Sequence, residues 1–280
     1  MKERTILLFV VLFLVMSCRE KEGKWKLIFN GNDLTGWDTY LGPTYDSIRK
    51  VMDTTQVPGL NNDPNKIFGV VNEDGQPAIR ISGAHNGGLS TTDEYKNFHL
   101  RLEFKWGKAK WNPRKDRQRD SGLLYHAVGK HGADYGFWMR SQEFQIQEGD
   151  CGDYWGVAGG VMDIPAEGNE REKYVYSPKA AQLKFSATSV PWRRCIKNPD
   201  AEKPSGEWNT IDLFCFGDTA VHQVNGKTVM ILYHSRQEDN GTETLLKQGK
   251  LQLQSEGAEI FYRNLRLQSI SGLPKEILTN

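Results

Sequence analysis

Glu143, Gln145 and Gln147 alternate with Phe144 and Ile146 in the run Glu143-Phe144-Gln145-Ile146-Gln147. On a β-strand successive side chains point to opposite faces, so the three long polar groups share one face and the two apolar groups the other. A carboxylate in such a row can take a proton, and an amide can orient a ligand or hold a developing oxyanion. Tyr135, Phe137, Trp138, Tyr154 and Trp155 flank the strand. Aromatic faces beside amides and a carboxylate suit a hydroxylated ring, whose C–H face stacks while its hydroxyls take hydrogen bonds. A saccharide cleft is the expectation, in preference to a solvent-facing sheet.

Two further strands bear on the same cleft. Asp120 to Val128 places Asp120, Leu124 and His126 on one side by alternation. A lone strand histidine is commonly structural, but beside Glu143 it could serve as general acid, base or ligand. Leu251, Leu253 and Ser255 alternate with Gln252, Gln254 and Glu256, and Arg263 follows. Gln254, Glu256 and Arg263 form a second polar cluster, although a structural salt bridge explains Glu256 and Arg263 about as well. The expected catalytic set is Glu143, His126 and Gln145. Asp120, Gln147, Trp138, Tyr154, Trp155, Gln254, Glu256 and Arg263 are expected to bind substrate.

The elements that must position these groups are short alternating runs separated by Gly, Asn, Asp or Pro. Clear cases are Phe98–Trp106, Gly122–Val128, Gln182–Val190, Thr210–Phe216, Ala220–Val224, Lys250–Ser255 and Ile260–Ser269, and Asn225-Gly226 carries a hairpin signal. No window holds a helical apolar stripe, so the fold class is all-β, a two-sheet jelly-roll sandwich. Two stretches break the pattern. Thr39 to Ile67 is a long loop-like segment, and such segments are usually functional or mobile. Gly107 to Arg119 gathers Lys108, Lys110, Arg114, Lys115, Arg117 and Arg119; it reads as a solvated excursion in preference to a polyanion contact.

The chain has 280 residues, with 36 Lys and Arg against 35 Asp and Glu. That balance argues against nucleic acid as a partner, because phosphate binding needs a basic excess. Lys2 and Arg4 precede an apolar run from Ile6 to Met16. It is too short to span a bilayer, which takes about 20 residues, and suits a signal peptide over residues 1–17. Val15-Met16-Ser17-Cys18 resembles a bacterial lipobox, so Cys18 is expected to carry lipid ahead of a tether, 18–24. The protein would then be an exported lipoprotein held to a membrane by that anchor only. One domain is expected over 25–270, with a tail at 271–280. Export permits a disulfide, and Cys151 with Cys195 is the expected pair, leaving Cys215 buried. No spacing resembles CxxC, so a structural zinc site is not expected.

Several stretches taken together resemble a known family. They are Ile28-Phe29-Asn30-Gly31 with Leu34-Thr35-Gly36-Trp37, Asp120-Ser121-Gly122-Leu123, Glu143-Phe144-Gln145-Ile146 and Gly206-Glu207-Trp208-Asn209. His222-Gln223-Val224-Asn225-Gly226 and Leu253-Gln254-Ser255-Glu256-Gly257 with Phe261-Tyr262-Arg263-Asn264-Leu265 complete the set. The chain is similar in this respect to the 3-keto-disaccharide hydrolase domain family. The resemblance implies a concanavalin A-like fold, action on 3-keto glycosides, frequent occurrence on exported lipoproteins and, in some members, a divalent metal. Two positions depart from the family pattern. The strand continues as Gln147-Glu148-Gly149-Asp150 in place of an acidic residue and Asn, and Glu256 stands where many members carry His.

The strand also differs from family 16 glucanases of the same general fold, whose signature is Glu-x-Asp-x-Glu. Direct glycoside hydrolysis needs two carboxyl groups, about 5–5.5 Å apart for retention, and this strand offers one with two amides. A 3-keto sugar relaxes the demand. Its ketone acidifies C2–H, so one base can start an elimination that expels the C1 substituent, and water then adds. In that scheme Glu143 is the base, His126 the proton donor or a metal ligand, and Gln145 the orienting group. The alternatives are a non-catalytic carbohydrate-binding module and a conventional glycoside hydrolase.

Overall fold

The computed structural model describes residues 23–171 and 173–278. The signal segment, Cys18 and most of the tether lie outside the described residues. Nearly all regular structure is antiparallel β, in a 12-stranded sheet, an 8-stranded sheet and a 2-stranded hairpin. Among the described residues the one helical element is a 3-10 turn, Lys275–Ile277, and no helix is long and apolar enough to cross a membrane. The two large sheets face each other, giving the two-layer sandwich expected from the sequence.

Alternation builds the core. The Phe98–Lys110 strand of the larger sheet turns Phe98, Leu100, Leu102, Phe104 and Trp106 inward. The smaller sheet answers with Leu123 and Tyr125 from Asp120–Val128, Phe144 and Ile146 from Arg140–Gln147, and Leu253 from Lys250–Ser255. Each such side chain contributes about 1.5–3 kcal/mol by leaving water. The smaller sheet therefore has its other face free to form a site. Its strands run in the order Arg194–Cys195, Tyr154–Val157, Arg140–Gln147, Asp120–Val128, Lys250–Ser255, Gly87–Thr91, Trp37–Leu41 and Gly59–Leu60.

Several expectations need correction. Cys151 and Cys195 do not pair; with Cys215 they are buried free thiols. Each is packed into the core, and burial pushes each thiol pKa well up. Residues 271–278 are not simply a tail: Ile277 is 8% exposed in the core, and its carbonyl accepts from Thr228 Oγ1 at 3.1 Å. The Thr39–Ile67 stretch is ordered around a hairpin of Thr44–Asp46 and Val51–Asp53. Met52 of that hairpin packs on a small apolar cluster of Leu124, Phe137, Trp138 and Val157.

Candidate active site

The free face of the smaller sheet carries a cleft of about 390 Å³. Its floor is a ladder of cross-strand rows set by register. Trp155 lies opposite Glu143, and Glu143 opposite Leu124. One row on, Gln145 lies opposite Gly122; the next row pairs Gln147 with Asp120. Lys250–Ser255 brings Gln254 beside Gly122, and Glu256 follows just beyond it. Glu143, Gln145, Gln147, Asp120, Trp138, Trp155, Gln254 and Glu256 all line this cleft. Phe144 and Ile146 point into the core, as alternation requires.

Gly122 makes the centre of the floor possible. A Cβ at this position would run into Oε1 of Glu143 and Oε1 of Gln254. Glycine inside a strand often marks such a close approach. The space it leaves lets a carboxyl and an amide meet above the backbone.

Burial and like charge govern the electrostatics. Glu143 is 5% exposed. Its pKa is raised well above the usual carboxylate range by burial first, then by the charges of Glu256 and Asp134. Arg193 and the Gln254 amide oppose this only in part. Asp120 is likewise raised by burial and by Glu256, with Arg114 opposing. Glu256 is pushed up to about 7 by burial; Arg114 lowers it and Asp134 adds to the rise. Gln145 donates Nε2 to Asp120 Oδ1 at 3.3 Å, while the Oε1 atoms of Gln145 and Gln254 are buried without a partner. Two orphaned acceptors in a cleft are ready for ligand hydroxyls, since an unmade buried hydrogen bond costs about 1–3 kcal/mol.

Three expected site residues lie elsewhere. His126 lies within a β-bulge that shifts the pairing with Arg140–Gln147 between Tyr125 and Val128 and the pairing with Lys250–Ser255 between Leu124 and Ala127, and it adopts φ 51°. The bulge breaks alternation and sends the ring into the interior against Phe98 and Tyr125, with centroids at 6.0 and 5.4 Å. There burial lowers its pKa to about 4, the Leu246 backbone opposing, so it is a neutral interior imidazole. Tyr154 points into the core and donates its hydroxyl to Gln142 Oε1 at 2.7 Å. Arg263 belongs to Ala258–Ser269 of the larger sheet. Its Nε donates to Glu103 at 2.6 Å, and its guanidinium lies 3.7 Å from the Trp208 ring centroid.

Sequence reasoning missed the residues that loops deliver. Arg114, from the basic segment read as a solvated excursion, pairs with Asp120 and lies 3.2 Å from Glu256 Oε1. It also donates to Gln147 Oε1 at 3.2 Å. At the other end of the cleft stand Asp134 and Arg193, joined at 3.3 Å. The density of cations in 107–119 was the available signal for Arg114; Asp134 and Arg193 carried none.

The donor set does not fit a divalent metal. Arg114 occupies the position between Asp120 and Glu256, and the cleft lining holds no histidine. Among the described residues no group of three or more His, Cys, Asp and Glu side chains is gathered to hold an ion.

No curated protein matches the sequence. Solved structures similar in overall shape include a candidate glycosyl hydrolase from Parabacteroides distasonis ATCC 8503, 18% identical, with 90% of this chain and 100% of that one covered at a TM-score of 0.47. Another is the carbohydrate binding module CBM66 from Bacillus subtilis, 8% identical, covering 84% of this chain and 96% of the other at 0.45. Residues 24–268, which include every strand of the cleft floor, match the 3-keto-alpha-glucoside-1,2-lyase-like domain, and the chain belongs to that family.

Proposed function

We propose that the protein cleaves 3-keto glycosides by elimination and rehydration, with Glu143 as base and Glu256 as proton donor. The observation that carries this reading is the Glu143 carboxyl, buried in the cleft floor over Gly122 with its pKa raised. A base with a raised pKa is a stronger proton acceptor once ionised, and the 3-ketone makes C2–H acidic enough for it to remove. The C–H electron pair becomes the C2=C3 bond of an enolate, and the carbonyl pair moves onto the C3 oxygen. The ketone then re-forms as C1=C2 is made and the C1–O pair departs with the leaving group, which takes a proton from Glu256. Water adds across C1=C2, hydroxyl to C1 and hydrogen to C2, releasing a free 3-keto sugar.

The remaining residues suit a sugar. Trp138 and Trp155 offer ring faces to its C–H surface, and the free Oε1 atoms of Gln145 and Gln254 can accept from its hydroxyls. Glu256, held to about 7, replaces His126 as the group that can hold and give up a proton near neutral pH. Paired assays of a 3-keto glycoside and its unoxidised parent test the reading. Turnover of the keto substrate alone is expected. Equal turnover of both would indicate a conventional glycosidase, and binding without turnover at any pH would indicate a carbohydrate-binding module.

Export as a lipoprotein anchored through Cys18 is part of the same proposal and is supported by the charged, apolar and lipobox-like segments of residues 1–18. Labelling with a radioactive fatty acid, lost in Cys18→Ser, would test it.

A further inference from the structure

We propose that Arg193 is a third catalytic residue, the donor that holds the C3 oxygen as it becomes an enolate. This rests on the elimination reading above. Arg193 immediately precedes the edge strand Arg194–Cys195 and lines the cleft. Its guanidinium carbon lies 5.6 Å from the ring centroids of Tyr135 and Trp155, and 4.9 Å from that of Trp192. One terminal nitrogen donates to both oxygens of Asp134, at 3.3 and 3.5 Å, and to the Gly156 carbonyl at 3.5 Å. The other donates to the Tyr135 hydroxyl at 3.4 Å. Rings and a carboxyl group thus fix the side chain before substrate arrives.

One donor is left over. Nε of Arg193 is buried with no partner. A cationic N–H in that state is costly in the resting protein and is satisfied when negative charge forms beside it, which is the requirement for stabilising a transition state in preference to a ground state. The position is apt. Trp155 is the cross-strand partner of Glu143, the guanidinium lies over that indole, and Arg193 shares the cleft lining with Glu143 and acts on its charge. In the enolate the oxygen to be held is two bonds from the carbon that gives up its proton, so base and cation must be neighbours. Arg114, the guanidinium at the opposite end, also has an unpartnered Nε, but its terminal nitrogens are engaged by Asp120, Glu256 and Gln147, so its charge is already matched by two carboxyls. Arg193 is matched by Asp134 alone among the cleft carboxyls.

The test separates enolate formation from bond cleavage. A 3-keto-1,5-anhydro sugar has no aglycone at C1 to expel, so exchange of its C2 hydrogen in D2O reports enolate formation without glycosidic cleavage. Arg193→Met should slow that exchange, and kcat on a 3-keto glycoside, by about 10²–10³-fold. KM and the binding of the unoxidised 3-hydroxy glycoside should change by less than about threefold, because the donor acts on charge absent from the ground state. Arg193→Lys should recover part of the exchange rate. If Arg193→Met fails to fold, Arg193→Gln serves in its place, with the same expected loss. Exchange at the wild-type rate in a folded Met or Gln variant overturns the role of Arg193 while leaving the reaction standing. Absence of both exchange and cleavage in the wild-type protein overturns the reaction itself.

Discussion

Asp212 and Glu143 are both buried carboxyls, one on each large sheet, and they have opposite chemistry. Asp212, 1% exposed on the outer face of the larger sheet, accepts from His99 at 2.6 Å and from Arg101 at 2.6 and 3.0 Å. Burial alone would raise its pKa, but these hydrogen bonds and the Arg101 charge lower it instead. Glu143 is similarly buried among Glu256, Asp134 and an amide, with Arg193 as a partial counterweight, and its pKa rises. Burial therefore does not distinguish a structural carboxyl from a candidate catalytic one. The supply of matching cations does.

The sharpest way to break this comparison is to neutralise each carboxyl. Glu143→Gln should lower kcat on a 3-keto glycoside by about 10³-fold without lowering the melting temperature, because it replaces a buried acid crowded by like charge with an isosteric amide. Asp212→Asn should do the reverse. Denaturant titration is expected to show a loss of roughly 3 kcal/mol from leaving the Arg101 guanidinium without its carboxylate, with kcat unchanged.

The two carboxyl classes also predict opposite pH responses. A raised folded-state pKa means that the native protein binds the proton more tightly, so the stabilising contribution is complete below the ordinary carboxylate range. For Glu256 it is lost as pH rises from there through about 7. Asp212, with a lowered pKa, stabilises above its ordinary value and loses that contribution as pH falls. Melting curves from pH 5 to 8 should accordingly fall more steeply in the wild type than in Glu256→Gln, by up to about 3 kcal/mol. If the two curves are parallel, Glu256 is not the buried acid described.

Smaller effects refine the contrast. Arg114 holds the pKa of Glu256 down. Arg114→Met should cost about tenfold in kcat through lost positioning and move the alkaline limb of the pH–rate profile upward, since the proton donor stays protonated longer. Arg263→Met, on the larger sheet, should leave kcat untouched and cost less than about 1 kcal/mol, read as a small shift in the denaturation midpoint.

Strict alternation made much of the cleft legible in the sequence. It placed Glu143, Gln145 and Gln147 on one face with no information beyond their spacing, and Gln254 and Glu256 by the same logic. The same rule forbids Tyr154 and Trp155 from sharing a face; only Trp155, opposite Glu143, reaches the cleft. His126 failed because a bulge shifts phase by one residue, and nothing in Tyr125-His126-Ala127 announces it. Arg263 failed because the chain passes from one sheet to the other around Gly257, between Lys250–Ser255 and Ala258–Ser269. Arg114, Asp134 and Arg193 come from loops, whose paths are set by tertiary packing and not by any local period.

Gly122 sits between these readings. The atoms that a Cβ there would strike are the ends of flexible side chains, not backbone, so the sheet can keep its form while the Glu143 and Gln254 head groups are driven aside. A single methyl group at this position would leave the Trp138 and Trp155 walls standing over a disabled floor. On the proposed elimination reading, Gly122→Ala should therefore cost turnover without altering any residue assigned to the chemistry.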